Sequence, residues 1–310
     1  MSWRLVAGTP RSPVRRRHWA GTPLGAAGLA SNCSNATDRA RAECHNVGVD
    51  HLDEDRRTSF DRNAEQYDAA RPGYPEAAID AVIARSGIEP GGRIVEVGAG
   101  TGKATEPFAR RGYSVVALEP GARMAAVLRR HVAQHPRVSI IEATFEDWTG
   151  ADGSFALLLS AQAFHWVRPE VRYAKAAAAL RPGGRFAWIN NETADLDPDL
   201  RSGLDRAYAR WVPKSGRQES KRSDDKVRER IREIQASGSF EPADVDMFRW
   251  SATYSARSYV ALLDTYSDHA VQPADVRAGL YGEISQLIEE YGGELEIPYL
   301  TVVLFAPRKA

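Results

Sequence analysis

The chain has 310 residues, and its 41 basic and 41 acidic side chains give a formal net charge of +0. Hydrophobic residues make up 43% and charged residues 26%, which is typical of a globular protein and excludes collagen-like, fully disordered and disulfide-scaffold chains. The neutral total argues against the broad basic surface of a nucleic-acid-binding protein. Two cysteines, Cys33 and Cys44, are too few for a disulfide framework or a cysteine zinc site, and we predict no metal.

Residues 1–55 differ from the rest of the chain. Residues 1–37 contain no acid, an arginine triplet begins at Arg15, and no helical or strand period persists. An export signal or a transit peptide fits the basic composition, but glycine and proline interrupt the apolar stretch and no amphipathic face is clear. We therefore expect 1–55 to be a disordered or mis-started extension and 56–310 to be the folded domain. Because no run approaches the roughly 18 apolar residues of a membrane span, we expect a cytoplasmic protein.

From about residue 58, short apolar segments alternate with amphipathic ones. The predicted strands are Arg93–Val97, Ser114–Leu118, Val138–Ile141, Phe155–Ser160 and Arg185–Ile189. The predicted helices between them are Thr101–Arg111, Ala122–Gln134 and Glu170–Leu180. Strands that are apolar on both faces and are separated by helices indicate an α/β protein with a parallel sheet covered on both sides.

The C-terminal part has a different texture. Residues 193–245 are polar and charged, and we expect them to form a helical cap over the sheet, with a solvated helix over Lys226–Ile234. Two further strands are predicted at Phe248–Tyr254 and Tyr299–Phe305, with helices between them at Ser258–His269 and Pro273–Glu290.

A glycine-rich turn follows the predicted strand Arg93–Val97. After Glu96 the chain reads Val-Gly-Ala-Gly-Thr-Gly, with glycines at Gly98, Gly100 and Gly102. Glycine permits positive φ and lets a ligand lie against the backbone. A dinucleotide fingerprint needs glycine at position 103, which is lysine, and a phosphate-binding P-loop needs Ser or Thr at position 104, which is alanine. Both phosphate-binding patterns therefore fail.

A second acidic residue, Glu119, ends the next predicted strand, 23 positions after Glu96. This separation is about one strand–helix–strand unit, so adjacent parallel strands would place Glu119 beside the glycine turn. A carboxylate at this edge can accept both hydroxyls of a ribose, each bond contributing roughly 1.5–3 kcal/mol. The pattern therefore indicates a site for a ribose-containing ligand.

With these elements the chain resembles the class I S-adenosylmethionine-dependent methyltransferases. More narrowly, it is similar to the small-molecule branch called methyltransferase type 11, which includes trans-aconitate methyltransferase-like proteins. The resemblance spans about 59–306 and rests on Tyr67–Tyr74, Glu96–Gly102, Glu119-Pro120, Ala143–Trp148, Ser160–Trp166 and Arg181–Gly184. It implies S-adenosylmethionine as cofactor and a doubly wound, Rossmann-like, seven-stranded, mostly parallel sheet.

The same resemblance implies roles for individual residues. The implied cofactor-binding residues are Glu96, Gly98, Ala99, Gly100, Gly102, Glu119, Thr144, Phe145, Tyr67 and Arg71. Among them, Glu96 and the glycine turn would hold the methionine part, Glu119 the ribose, and Thr144 and Phe145 the adenine. Gln162 and His165 follow the fourth strand, where methyl donor and acceptor meet, and are the predicted catalytic residues.

A general base is needed only if the acceptor carries a proton, and two histidines are candidates. His165 can act as the base or only shape the pocket floor, and His269 can act as the base or only as a cation at a helix C-terminus. Arg71 or Arg168 can instead hold an acceptor carboxylate, which needs no base.

We expect a methyltransferase that acts on a small molecule at a carboxylate or hydroxyl oxygen. Alternatives are a carbon or nitrogen methyltransferase, a catalytically silent cofactor-binding protein with a partner surface at 193–240, and, more distantly, a nicotinamide oxidoreductase. The fourth strand is followed by Ser160–Ala163 and not by the Asn/Asp-Pro-Pro-aromatic quartet of base methylation, so no nucleic-acid partner is predicted. The acceptor and the choice between monomer and homodimer stay open.

Overall fold

The computed structural model describes residues 3–6, 61–212 and 223–310. Most of the predicted N-terminal extension, and its boundary with the folded domain, lie outside the described residues. Within the extension, Trp3–Val6 forms a strand that was not predicted and that pairs parallel to Val245–Phe248 at one edge of the sheet.

The strands and helices follow one another in a largely alternating order. The strands are β1 Trp3–Val6, β2 Arg93–Val97, β3 Ser114–Leu118, β4 Val138–Ile141, β5 Phe155–Ala161, β6 Leu180–Thr193, β7 Asp244–Ser255 and β8 Glu294–Pro307. The helices are α1 Ala64–Ala70, α2 Glu76–Ser86, α3 Thr105–Arg110, α4 Ala122–His131, α5 Pro169–Ala179, α6 Pro198–Trp211, α7 Ser223–Ala236, α8 Ala256–Leu263, α9 Ser267–Ala270 and α10 Ala274–Glu290.

All described strands belong to one sheet, in the order β1-β7-β8-β6-β5-β2-β3-β4. Strand β8 is antiparallel to both neighbours, whereas every other described pair is parallel. The predicted fold class is confirmed: β2–β8 are the seven predicted strands, and β1 adds an eighth. The strand order reverses at β2, which pairs with β3 on one side and β5 on the other. A crevice therefore opens at the carboxyl ends of β2 and β5, where such sheets bind ligands.

Alternating strand residues build two cores, one on each face of the sheet. Val95 and Val97 of β2 pack into one core and Ile94 into the other. In β5, Leu158 joins the first core, and Leu157 and Leu159 join the second. Burial on both faces explains why these strands read as continuous apolar runs.

The expectation of a solvated helix over Lys226–Ile234 was wrong. Val227, Ile231 and Ile234 of α7 are almost fully buried and belong to the same core as Trp188. Their spacing of four and three residues forms one apolar face of a helix, and this face packs against the sheet layer. The charged residues between them had obscured this stripe.

A third core lies at the carboxyl end of the sheet, beside the crevice. Helices α6, α8 and α10 and the paired ends of β7 and β8 contribute residues to it, among them Leu204, Leu262 and Ile284. The cap over the crevice therefore comes from two separate segments, and the predicted range of 193–245 contains only the first. None of the helices in the described ranges combines the length and apolar character needed to cross a bilayer.

Candidate functional site

The glycine turn after β2 has three residues in the left-handed region, at φ values of +69° for Gly98, +58° for Gly100 and +94° for Gly102. A Cβ at Gly98 would lie 2.3 Å from the Cβ of Ala163, and one at Gly102 would lie 2.4 Å from the Cδ1 of Leu128. A Cβ at Gly100 would meet nothing within 4 Å. Packing against Ala163 therefore requires glycine at position 98, and a side chain at position 102 would displace the end of Leu128. Gly100 instead leaves open space beside the backbone.

Glu96, the last acid before this turn, is a buried carboxyl group with one free oxygen. Its Oε2 accepts a hydrogen bond from Thr105 Oγ1 at 2.6 Å, and its buried Oε1 has no hydrogen-bond partner among the described residues. Burial raises the pKa of Glu96 to about 8, opposed by the Thr105 bond and reinforced by the nearby charge of Glu119. A ligand cation that met Oε1 would lower this pKa and ionise the carboxyl.

Glu119 lies across the turn at the end of β3. Its Oε2 accepts from the backbone N–H of Gly100 at 2.7 Å, and its Oε1 accepts from the N–H of Gly121 at 2.8 Å. Burial raises the pKa of Glu119, and these two backbone bonds oppose the shift. Each oxygen keeps a second lone pair, so the carboxylate can still accept hydroxyl donors.

Two cavities meet at this edge of the sheet. The smaller, of about 160 Å³, is lined by Glu119, Met124, Thr144, Phe145 and Trp166 among others. The larger, of about 1040 Å³, extends from Glu96 and the glycine turn under the cap. Residues that line both are Tyr67, Gly98, Gly100, Ala161 and Gln162. The two cavities therefore share a boundary at the turn.

Gln162 stands at this boundary with a strained backbone. Its φ of +56° makes it the single non-glycine residue with positive φ in the described part of the chain. Its N–H donates to the carbonyl of Ile189 at 2.9 Å. Strained residues of this kind concentrate at functional sites. The catalytic role of Gln162 stays a prediction.

Thr144 and Phe145 both line the smaller cavity, as their predicted adenine-flanking role requires. Thr144 Oγ1 donates to Asp147 Oδ2 at 2.7 Å and accepts from the Asp147 N–H at 3.1 Å. Phe145 is almost fully buried and stacks on Trp148 with ring centroids 6.0 Å apart. The aromatic ring is therefore part of the core as well as part of the cavity wall.

Tyr67 and Arg71 are brought to the site by helix α1 and the residue after it. The Arg71 guanidinium lies over the rings of Tyr67 and Tyr266, 5.3 Å and 4.1 Å from their centroids. Its Nε and Nη2 donate to the hydroxyl and carbonyl oxygens of Thr265 at 2.8 Å and 3.0 Å. Both predicted residues line the larger cavity. Sequence reasoning missed Thr265, whose hydroxyl and carbonyl oxygens hold the guanidinium in place.

The two candidate histidines lie in different surroundings. His165 is exposed on a 3₁₀ turn, Phe164–Trp166, and is not among the described residues that line the two cavities. Its role as a base stays a prediction that this placement does not support. His269 is buried and lines the larger cavity, between Tyr208 and Tyr281. The Arg168 side chain is 68% exposed and also lies outside both cavity linings. Of the two arginines considered for holding an acceptor carboxylate, Arg71 is therefore the better placed.

Within the described ranges, no group of three or more His, Cys, Asp or Glu side chains is arranged to hold a metal ion. The polar features of the site are the two buried acids, the glycine turn and the hydroxyl-rich wall of the larger cavity. Together with the sheet order, they are typical of an α/β protein with a ligand-binding crevice at the carboxyl ends of β2, β3 and β5.

Comparison with known proteins identifies which class this is. Residues 94–184 match the family model described as a methyltransferase domain. An uncharacterised methyltransferase of Mycobacterium tuberculosis is 30% identical over 253 residues, which cover 80% of this chain and 95% of that protein. A protein of Saccharomyces cerevisiae named as an S-adenosylmethionine-dependent methyltransferase is 28% identical over 146 residues, 43% of this chain and 48% of its own length. The chain belongs to the class I S-adenosylmethionine-dependent methyltransferases.

A solved structure shows the same fold. A protein of Anaeromyxobacter dehalogenans described as a type II methyltransferase superimposes with a TM-score of 0.58 at 21% identity, covering 76% of this chain and 97% of that one. This likeness concerns the fold. Because the chain belongs to the S-adenosylmethionine-dependent methyltransferases, its cofactor is S-adenosylmethionine and its reaction class is methyl transfer.

Proposed function

We propose that this enzyme transfers the methyl group to an oxygen atom of a small polar molecule bound in the larger cavity. The observation that carries the proposal is the shared boundary of the two cavities at Gly98, Gly100 and Gln162. A cofactor that reaches across this boundary presents its reactive group to a separate, much larger space.

The residues of the smaller cavity and the turn fit the cofactor. The unpartnered Oε1 of Glu96 suits the ammonium group of the methionine part, and the open space at Gly100 admits the chain beside the backbone. Glu119 retains lone pairs for the ribose hydroxyls, and Thr144 and Phe145 border the adenine end. When bound, S-adenosylmethionine supplies a methyl group already activated by its sulfonium. The protein's task is therefore mainly to align the acceptor.

The larger cavity supports a small, polar acceptor. Its volume of about 1040 Å³ is at the upper end of small-molecule sites, which are roughly 300–1,000 Å³. Its wall carries acids and bases in similar numbers, among them Glu192, Asp205, Arg201 and Arg249. Such a mixed wall offers hydrogen bonds to a polar molecule but no uniform field for a nucleic acid.

Oxygen is favoured over nitrogen or carbon by the donors that face this space. Arg71 offers a guanidinium held by Thr265, and Tyr208, Tyr266 and Tyr299 line the same wall. A guanidinium binds a carboxylate in two-pronged fashion, and phenolic hydroxyls bind either a carboxylate or a hydroxyl. A wall of carboxylates near the turn would instead favour an amine acceptor.

Two measurements test the proposal. Calorimetry should detect binding of one S-adenosylhomocysteine per chain. Incubation with a methyl-labelled donor and a panel of carboxylic acids, alcohols, phenols and amines should then label an oxygen atom, which NMR of the product identifies. No binding, or a label found only on nitrogen or carbon, would overturn the proposal. Tight binding with no turnover across the panel would instead support the silent cofactor-binding protein.

A further inference from the structure

A chain of hydrogen bonds runs from the wall of the larger cavity to a carboxylate on the cap. His269 Nε2 lies 3.0 Å from the Tyr208 hydroxyl, and His269 Nδ1 lies 3.1 Å from the Tyr281 hydroxyl. Tyr281 donates in turn to Asp264 Oδ1 at 3.2 Å. His269 is 4% exposed, and Tyr208 and His269 both line the cavity. Three consecutive hydrogen bonds thus connect the acceptor space with Asp264.

The direction of this chain follows from the number of protons available. Tyr281 has one hydroxyl proton, and Asp264 takes it, so the Tyr281 oxygen can only accept from His269 Nδ1–H. A neutral imidazole protonated at Nδ1 has its lone pair at Nε2. Nε2 therefore accepts the hydroxyl proton of Tyr208. The basic nitrogen of His269 faces the residue that lines the cavity.

The far end of the chain is fixed in place. Asp264 accepts from Arg277 Nη1 at 2.9 Å and from Gln66 Nε2 at 3.0 Å. These bonds come from α10 and α1, so two elements hold the carboxylate that orients Tyr281. This is the arrangement expected of a positioning group, which selects a tautomer and an orientation of the imidazole.

His269 is also poised to remain neutral. Burial lowers its pKa, the charge of Arg277 acts in the same direction, and the charges of Asp268 and Asp264 oppose both. The other ionisable groups that face it are Tyr208 from α6, Tyr281 from α10 and Tyr266 beside its own helix. A neutral imidazole at neutral pH has a lone pair available to accept a proton.

We propose that Tyr208 and His269 form a proton relay that deprotonates the acceptor, and that the acceptor is therefore a hydroxyl compound and not a carboxylic acid. This inference rests on the proposed function. A carboxylic acid has a pKa near 4 and is already ionised at neutral pH, so its methylation needs no base. A hydroxyl acceptor holds its proton and does need one.

The proposed step conserves atoms, protons and charge. The acceptor oxygen forms a bond to the methyl carbon, the carbon–sulfur bond breaks, and its electron pair stays on sulfur, which becomes a neutral thioether. The acceptor's O–H proton passes to the Tyr208 oxygen as the Tyr208 proton passes to His269 Nε2. His269 then carries the positive charge that the sulfonium has lost, next to Asp268 and Asp264. The proton is released to solvent after the product leaves.

A first experiment tests the relay without any turnover. Nitrogen-15 NMR of the His269 ring should show a neutral Nδ1–H tautomer at pH 7 and a pKa below the ordinary 6.5. Tyr281→Phe removes the acceptor of Nδ1–H and should abolish this tautomer preference. The matched control is Tyr291→Phe, which changes a half-exposed tyrosine outside both cavity linings. An Nε2–H tautomer or a charged ring at pH 7 in the unchanged protein would overturn the relay.

A second experiment uses the acceptor's own acidity. With an alcohol or phenol that is protonated at pH 7, His269→Gln and Tyr208→Phe should each lower kcat by about 100-fold or more. With a phenol that is already ionised at pH 7, the loss should shrink to within about threefold, because no proton has to be moved. A role in folding alone would give equal losses with both acceptors, and this result would overturn the relay, as would carboxyl esters as the sole products.

Binding of S-adenosylhomocysteine separates failure of this inference from failure of the proposed function. All variants should bind it within about twofold of the unchanged protein, since Tyr208 and His269 lie outside the smaller cavity. Failure of the unchanged protein to bind contradicts the proposed function. Normal binding combined with equal losses for both acceptors contradicts the relay alone.

Discussion

The two cavities of the site are built in different ways. Apart from Asp61 and Tyr67, the residues that line the smaller cavity lie between Val97 and Val167, on consecutive strand ends. The wall of the larger cavity draws on residues from Tyr67 to Leu300, including both segments of the cap. The proposed cofactor side, which comprises the smaller cavity and the glycine turn with Glu96, is thus built mainly from one repeated strand–helix unit. The proposed acceptor side, the rest of the larger cavity, forms only after the whole chain has folded. Substitutions on the two sides should therefore separate binding from turnover.

The largest effect is expected on the cofactor side, at Glu119. Glu119→Ala removes the two charge-assisted bonds available to the ribose and should weaken S-adenosylhomocysteine binding about 100-fold or more, measured by calorimetry. Because the Gly100 and Gly121 N–H groups also lose their acceptor, thermal unfolding of the variant must be measured as well.

Glu119→Gln provides the second variant, since an amide oxygen can still accept from one of these N–H groups and keeps the shape of the side chain. It should retain the fold and still bind at least tenfold more weakly. The matched control is Glu290→Ala, at the exposed end of α10, which should bind normally. Normal binding by both Glu119 variants would break the division between the two sides.

The same division explains what could be predicted from the sequence. Strands β2, β3 and β4 have the predicted bounds because each is a short apolar run between turns. Glu96 is the last residue but one of β2, and Gly100 and Glu119 lie just after the ends of β2 and β3. Because the carboxyl ends of parallel strands meet at one edge of the sheet, residues at these ends must lie close together. The residues that are proposed to hold the cofactor could therefore be named from the sequence, and their position at this edge of the sheet could be predicted.

The contacts of the proposed acceptor side could not be predicted from the sequence, because they join residues that are far apart in the chain. Tyr208 and His269 are 61 positions apart and lie on different helices, so no local spacing announces their hydrogen bond. The sequence left His269 as either a general base or a cation at a helix C-terminus, and its burial between Tyr208 and Tyr281 becomes visible only in the folded chain. Similarly, the apolar stripe of α7 was hidden among charges, although its spacing was present in the sequence.

Within the glycine turn, substitutions at Gly100 and Gly98 should have different effects, the first mainly on ligand binding and the second mainly on folding stability. Gly100→Ala adds a methyl group to open space and should weaken S-adenosylhomocysteine binding about 30-fold, with an unfolding cost of about 1–2 kcal/mol for the left-handed φ. Gly98→Ala instead drives a Cβ to 2.3 Å from Ala163 Cβ and should cost about 2–4 kcal/mol of folding stability. Calorimetry and chemical denaturation measure the two effects.

Gly87→Ala is the matched control for Gly100→Ala. Gly87 has a φ of +61°, and a Cβ there also meets nothing within 4 Å, but it follows α2 and lines neither cavity. It should show the same loss of stability with unchanged binding. Equal binding by the Gly87 and Gly100 variants would mean that the space beside Gly100 is not used by the cofactor.

The smallest expected effect is the release of a proton from Glu96 when the cofactor binds. Its folded pKa of about 8 lies above the ordinary 4.5, so the carboxyl is largely protonated in the free protein at pH 7, and its contribution to stability is lost as pH rises through about 8. An ammonium at Oε1 lowers that pKa, so binding should release close to one proton at pH 7 and should tighten as the pH is raised toward 8. Calorimetry in buffers of different ionisation enthalpy measures this release.

Glu96→Gln should weaken binding only about fivefold, because the amide oxygen still meets the ammonium, but it should abolish the proton release. A binding enthalpy that does not depend on the buffer in the unchanged protein would show that Glu96 is ionised before the ligand arrives. The same measurement on Tyr208→Phe should give the proton release of the unchanged protein, because this linkage belongs to the cofactor side. A loss of release in that variant would mean that the two sides are coupled through the shared wall at Tyr67 and Gln162, and that the separation of binding from turnover fails there.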